Sequence, residues 1–170
     1  MVFTDRYDHV IDEKGRLAIP SQIRNAMSSQ SNNAFYLVPE GRYLQLLPES
    51  LFQQLSTVAN AGLTVSADLA KARRLVFATA SRLEWDKSGR VVVPDRYLVD
   101  GKGRDPFGEA VLSRQVTLVG VGDRVEVWNT TDFIAHLKEL LADRPAVQAA
   151  TQKVFGQVPP PPGADNGVPF

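Results

Sequence analysis

The residues able to do chemistry come as two matching sets. Asp12-Glu13-Lys14-Gly15-Arg16-Leu17-Ala18-Ile19-Pro20 returns as Asp86-Lys87-Ser88-Gly89-Arg90-Val91-Val92-Val93-Pro94, and Asp12 to Asp86 and Arg16 to Arg90 are each 74 positions apart. Two carboxylates at equivalent places are the raw material of general acid and base catalysis. Each, however, precedes a Gly-Arg turn, where an aspartate that hydrogen-bonds the loop's own amides has an ordinary structural role. Arg16 and Arg90 offer a different chemistry. A guanidinium can bond bidentately to a guanine edge in the major groove, or to a phosphate, and a two-stranded element is one of the shapes that groove admits. Lys14 and Lys87 stand beside them as phosphate anchors. The same arginines could instead pair with Asp12 and Asp86 to stiffen each turn, and spacing alone leaves both roles open.

Other reaction chemistries find little to work with. There is no cysteine, so no disulfide, thiol nucleophile or thiolate metal site, and the two histidines, His9 and His136, are far apart in the chain. Gly120-x-Gly122 fails as a dinucleotide fingerprint because its third glycine would fall at Val125, and no loop has the spacing of a P-loop. The expectation is a protein that is not an enzyme, with no metal and no cofactor.

The elements that must position the two turns repeat as well. Residues 3–11 and 16–19 read as strands flanking the Asp12 to Gly15 turn, with Gly15 free to take positive φ, and Pro20 then suits the start of a short helix from Ser21 to Met27. A hairpin follows: Phe35 to Val38, a Pro39-Glu40-Gly41-Arg42 turn, and Tyr43 to Leu47. Pro48-Glu49 opens a helix with Leu51, Phe52, Leu55, Val58 and Ala59 on one face. Ser66 is the N-cap of a linking helix to about Ala80, bearing Leu69, Ala72, Val76 and Ala80, which leads into the strand Arg82 to Trp85. The second hairpin is Val116 to Val119, a Gly120 to Asp123 turn and Val125 to Trp128, followed by a helix from Thr130 that carries Phe133, Ile134, Leu137, Leu140 and Leu141. A duplicated unit of this size buries its apolar faces copy against copy. The expected fold is α+β, built of two pseudo-symmetric units at 1–62 and 63–143, with a Pro-rich tail at 144–170 that is extended and disordered.

With 170 residues, 44% of them hydrophobic and 22% charged, the chain has the composition of a soluble globular protein. No run reaches the length of a membrane span, and Asp5, Arg6 and Asp8 stand where a signal peptide needs apolar residues, so a cytoplasmic location is expected. The net charge of zero conceals a partition, because residues 68–104, which contain the second motif, hold nine Lys and Arg against five Asp and Glu. Part of that excess is Lys71, Arg73 and Arg74 on the linking helix. A neutral protein can thus carry a positive face.

On Phe3, Tyr7, His9, Ile11 to Leu17, Ile19-Pro20 and Arg24, and again on Asp86 to Val91, Pro94 and Val116 to Trp128, the chain resembles the MraZ family of bacterial transcriptional regulators. The resemblance covers about residues 1 to 142. It implies a tandem pair of AbrB-like, swapped-hairpin units and a ring-like homo-oligomer. It also implies nucleoid-associated binding to double-stranded DNA, at tandem G-rich repeats in the promoter of the protein's own operon at the head of the division and cell wall gene cluster. Carried over residue by residue, the DNA contacts are Lys14, Arg16, Lys87 and Arg90. The chain departs from the family pattern at Asp5, where glycine is usual, at the Pro39 to Arg42 turn, and at Leu98 with the Gly101 to Asp105 insertion that follows. Two other readings are an antitoxin-like module that binds DNA as a dimer and neutralises a toxin partner, and a protein-binding adaptor barrel, which would keep its partner when Arg16 is replaced by alanine.

Overall fold

The computed structural model describes residues 2–28, 34–60, 66–101 and 110–157. The first half of the chain forms β1 (Arg6–Val10), β2 (Arg16–Ala18), α1 (Ser21–Ser28), β3 (Ala34–Glu40), β4 (Tyr43–Pro48) and α2 (Glu49–Asn60). The second half forms α3 (Ala67–Thr79), β5 (Ser81–Glu84), β6 (Arg90–Val92), a 3₁₀ turn at Asp95–Tyr97, β7 (Gln115–Gly120), β8 (Val125–Asn129), α4 (Thr130–Ala142) and α5 (Arg144–Phe155). The fold is α+β, as expected.

Strands of the two halves interleave. Six of them make one antiparallel sheet in the order β1-β7-β8-β4-β3-β5, and β2 and β6 make a separate two-stranded ladder. β1 therefore pairs with β7 of the other half, Tyr7 opposite Leu118, while β5 pairs with β3, Leu37 opposite Ser81. At the sheet's centre β4 meets β8 with Gln45 opposite Glu126. Strand alternation sends Leu44, Leu46, Val125 and Val127 to one buried face and leaves Gln45 and Glu126 half-buried on the other. Leu17 and Val91 of the small ladder join the buried face, with Ile19, Val93, Tyr97 and Leu112 around them, in one continuous core. Burying a side chain of this size stabilises by about 1.5–3 kcal/mol, so the ladder is anchored by its two central residues.

On the opposite face α2 packs over β3 and β4, and α3 over β3. Phe52 of α2 stacks on Tyr36 at 3.9 Å between ring centroids and meets Phe77 of α3 edge-on at 5.5 Å. Phe133 at the start of α4 meets Trp128 edge-on at 6.0 Å. Ser66 caps α3 as expected, its Oγ accepting from the Leu69 amide at 3.2 Å. The face expected to be buried on α3 is open, with Leu69 and Val76 exposed, and on α2 Leu55 is exposed as well.

The first hairpin is tighter than its sequence suggests. Pro39 and Glu40 belong to β3, paired with Leu44 and Tyr43, so the loop is only Gly41 and Arg42. β5 stops opposite Leu37, which leaves Pro39 on an edge where a missing N–H is tolerated. Residues 144–155, expected to be disordered, instead form α5. Pro145 falls in the first turn, where it loses no helical bond, and Ala146, Ala149, Ala150, Gln148 and Gln152 are good helix formers. A search for an apolar stripe misses such a helix because every residue of it is exposed. The rest of the expected tail, from 158, and most of the loop insertion, including Lys102 and Arg104, lie outside the described residues. Compact packing divides the chain between Phe133 and Ile134, so the rest of α4 and α5 form a second unit. Among the described residues no helix is long and apolar enough to cross a membrane.

Candidate functional site

Each Asp-x-x-Gly-Arg segment folds into the same closed turn. In the first, the Gly15 amide donates to the Asp12 carbonyl at 2.9 Å and the Asp12 amide donates to the Arg16 carbonyl at 3.0 Å. Asp12 Oδ1 accepts from the amides of Lys14 and Arg16, both at 2.9 Å, and Oδ2 accepts from Arg16 Nε at 2.7 Å. In the second, Gly89 donates to the Asp86 carbonyl and Asp86 to the Arg90 carbonyl, both at 2.8 Å. Asp86 Oδ1 accepts from Ser88 and Arg90 amides at 2.8 and 3.0 Å, and Oδ2 from Arg90 Nε and Nη2 at 3.1 and 3.0 Å. Gly15 and Gly89 take φ of 72° and 73°, which only glycine adopts without strain.

The two turns are tied to each other. Ile19 donates its amide to the Gly89 carbonyl at 2.9 Å, and Val93 donates to the Gly15 carbonyl at 2.8 Å. Between them run the three pairs of the β2–β6 ladder, Arg16 opposite Val92, Leu17 opposite Val91 and Ala18 opposite Arg90. Because strand side chains alternate, Leu17 and Val91 point into the core while Arg16, Ala18, Arg90 and Val92 share the outward face. The pairing brings both arginines onto one small platform. Lys14 and Lys87 are exposed at the turn tips. They do not occupy matching places, since Lys14 corresponds to Ser88 and Lys87 to Glu13.

The arrangement decides what the carboxylates do. Hydrogen bonding from the Arg16 amide, followed by that from its guanidinium and the Lys14 amide, holds the Asp12 carboxyl below the usual aspartate range. The Arg90 amide and guanidinium and the Ser88 amide do the same to Asp86. A general acid at neutral pH needs the opposite shift. At neutral pH Asp12 and Asp86 are therefore anions that shape the turns and pair with the arginines. About a third of each arginine side chain stays accessible, 34% for Arg16 and 38% for Arg90. In Arg16 only Nε meets the aspartate, so among the described residues its Nη1 and Nη2 end carries no hydrogen bond.

Two further arginines brace the turns. Arg114 Nη1 donates to the Asp12 carbonyl at 2.7 Å, while its Nε pairs with Asp100 at 2.7 Å. The partners are 102 positions apart, and nothing in the local sequence around Arg114 marks that role. Arg24 Nε donates to the Ile19 carbonyl at 3.0 Å, and its guanidinium lies against Gly89. Its place at the close of the first motif was legible, but its contact with the other copy was not.

Comparison with known proteins finds relatives of this chain. The family described as "MraZ protein, putative antitoxin-like" matches residues 76–155. A protein of Thermomicrobium roseum named transcriptional regulator MraZ is 34% identical over 149 residues, which is 86% of this chain and 94% of the relative. Proteins of the same name from Leuconostoc mesenteroides and Chromobacterium violaceum are 30% and 32% identical, covering 84% and 78% of this chain and 91% and 84% of theirs.

Proposed function

This chain belongs to the MraZ family, and we propose that it is a sequence-specific DNA-binding transcriptional regulator, acting without catalysis or cofactor. The observation that carries the reading is the outward face of the β2–β6 ladder, shared by Arg16 and Arg90. A two-stranded ribbon fits the major groove, and an arginine held by its Nε edge presents its Nη end to O6 and N7 of guanine. Asp12 and Asp86 do the holding, so less side-chain freedom is lost on binding. Lys14 and Lys87 anchor phosphates on either side and set the salt dependence.

One platform of two arginines binds weakly, and a neutral chain gains little from long-range attraction. Affinity comes from repetition: a ring-like homo-oligomer presents several platforms to tandem G-rich repeats, and each later contact is intramolecular. Exposed apolar side chains support self-association, among them Leu69, Leu75 and Phe77 on α3 and Leu141, Val154 and Phe155 in the second unit. The resemblance supports the target, the promoter of the protein's own operon in the division and cell wall cluster, and with it a cytoplasmic, nucleoid-associated protein.

The test is a titration of purified protein against its upstream DNA at several salt concentrations, with Arg16→Ala and Arg90→Ala alongside. Tight binding that needs more than one repeat, weakens with salt and collapses in both variants is expected. The antitoxin wording of the family description favours one rival, a protein partner. Binding to random DNA as strong as to the promoter, with a protein partner retained by Arg16→Ala, would move that rival ahead.

A further inference from the structure

We infer that Arg24 is a positioning residue for the second turn, through which the first copy of the motif sets the geometry in which Arg90 meets DNA. The inference rests on the DNA-binding reading above and adds to it an inequality between the two turns.

Arg24 rises from α1, and its Nε donates to the Ile19 carbonyl at 3.0 Å. The Ile19 amide in turn donates to the Gly89 carbonyl at 2.9 Å. The guanidinium itself lies on Gly89: a Cβ placed there would fall 2.6 Å from Arg24 Cζ and Nε and 2.9 Å from Nη1. Gly89 is thus held at its carbonyl by Ile19 and at its Cα by Arg24, and the next residue is Arg90. The first turn has no such brace. A Cβ on Gly15 would meet the Val93 carbonyl at 3.3 Å and no other atom as closely, and the position 74 beyond Arg24 is Leu98. Its own brace, Arg114, acts at the Asp12 carbonyl instead. Charge follows the same asymmetry, because the first turn contains Glu13 where the second contains Lys87. A planar guanidinium can lie flat on a glycine while bonding sideways through Nε, and an ammonium cannot. The second turn is therefore the more cationic of the two and the one whose glycine is held by a side chain of the other copy, Arg24.

Arg24→Gln and Arg24→Lys in the full chain test this with two independent readouts. In the free protein, amide hydrogen exchange at residues 88–90 is expected to rise about tenfold or more in both variants, with residues 14–16 unchanged. On promoter DNA, affinity is expected to fall about tenfold, with the same slope of log affinity against log salt as wild type. That loss should vanish in an Arg90→Ala background and persist in an Arg16→Ala background. Unchanged exchange at 88–90, or full rescue by lysine, would overturn the positioning role. A salt slope reduced by about one would overturn it too, by making Arg24 a phosphate contact. If the exchange change appears but wild type shows no preference for promoter DNA, the positioning of the turn stands and the DNA-binding reading fails.

Discussion

Leu17 lies directly opposite Val91 at the centre of the two-stranded ladder, so residues 74 positions apart in the sequence, each one place after its motif arginine, face each other across the pair. Every other contact between the two turns follows from that register. It sets Arg16 and Arg90 on the outward face and sends the two apolar residues into a core they share with Leu37, Leu46 and Val127.

Removing that anchor should disturb both turns together. Leu17→Ala leaves a cavity in a site where Leu17 is 2% exposed, at a cost of about 3 kcal/mol. Urea unfolding is expected to report that loss, and hydrogen exchange in the remaining native protein should rise at both 14–16 and 88–90. A change confined to the first turn would show that the ladder does not couple them.

Acid should loosen the turns. Asp12 and Asp86 have folded-state pKa values below their unfolded ones, because the Arg16 and Arg90 amides and guanidinium groups bond their ionised forms. Their contribution to stability is therefore fully present above the ordinary aspartate value of about 3.9 and is lost as pH falls through the lowered folded values. Carboxyl titration followed by NMR should find both below the ordinary value, and Asp12→Asn should remove the transition of the first turn while leaving that of Asp86 in place.

Glycine substitutions should rank by what stands over them. Gly41→Ala meets no atom within 4 Å, so its cost is the backbone strain at φ 62°, about 1 kcal/mol. Gly89→Ala carries the same strain at φ 73° and also strikes the Arg24 guanidinium. Thermal unfolding should place Gly89→Ala below Gly41→Ala by the cost of moving the Arg24 guanidinium off the turn and losing its bond to the Ile19 carbonyl, and equal midpoints would contradict the packing of Arg24 on the turn.

Asp5 offers a gain. It sits at φ 75°, the one non-glycine position of this kind among the described residues, and its carboxylate recovers part of the strain by accepting from the Arg6 amide at 2.7 Å. Asp5→Gly should stabilise the protein by about 0.5–1 kcal/mol, read as a raised thermal midpoint. A lowered midpoint would mean that the Arg6 contact outweighs the strain.

How far the sequence could be read depended on range. The turns were legible because the residues that close them, Asp12, Gly15 and Arg16, lie within five residues, while the arginines that brace them from a distance, Arg24 and Arg114, were not, and the Ser66 cap is as local as the turns. Strand positions were legible for the same reason, yet their partners were not. Pairing β1 with β7 rests on contacts more than a hundred residues apart, which no local pattern encodes. Pro39 looked like a turn residue until the end of β5 made its side of β3 an edge. α5 escaped because helix propensity, not an apolar stripe, forms it. At the candidate site, spacing could not choose between arginines that bind and arginines that pair with aspartate. The geometry leaves room for both at Arg16, whose Nε alone meets Asp12, and less at Arg90, whose Nη2 also bonds Asp86.

If Arg16 and Arg90 read guanine edges from one platform, binding must depend on the N7 acceptors of the promoter repeats, which 7-deazaguanine removes while keeping base pairing. Wild-type affinity should fall by roughly 1–3 kcal/mol per contacted base, while Arg16→Ala and Arg90→Ala, already weak, should each lose part of that sensitivity. Equal sensitivity to the base change in wild type and both variants would mean that neither arginine reads guanine.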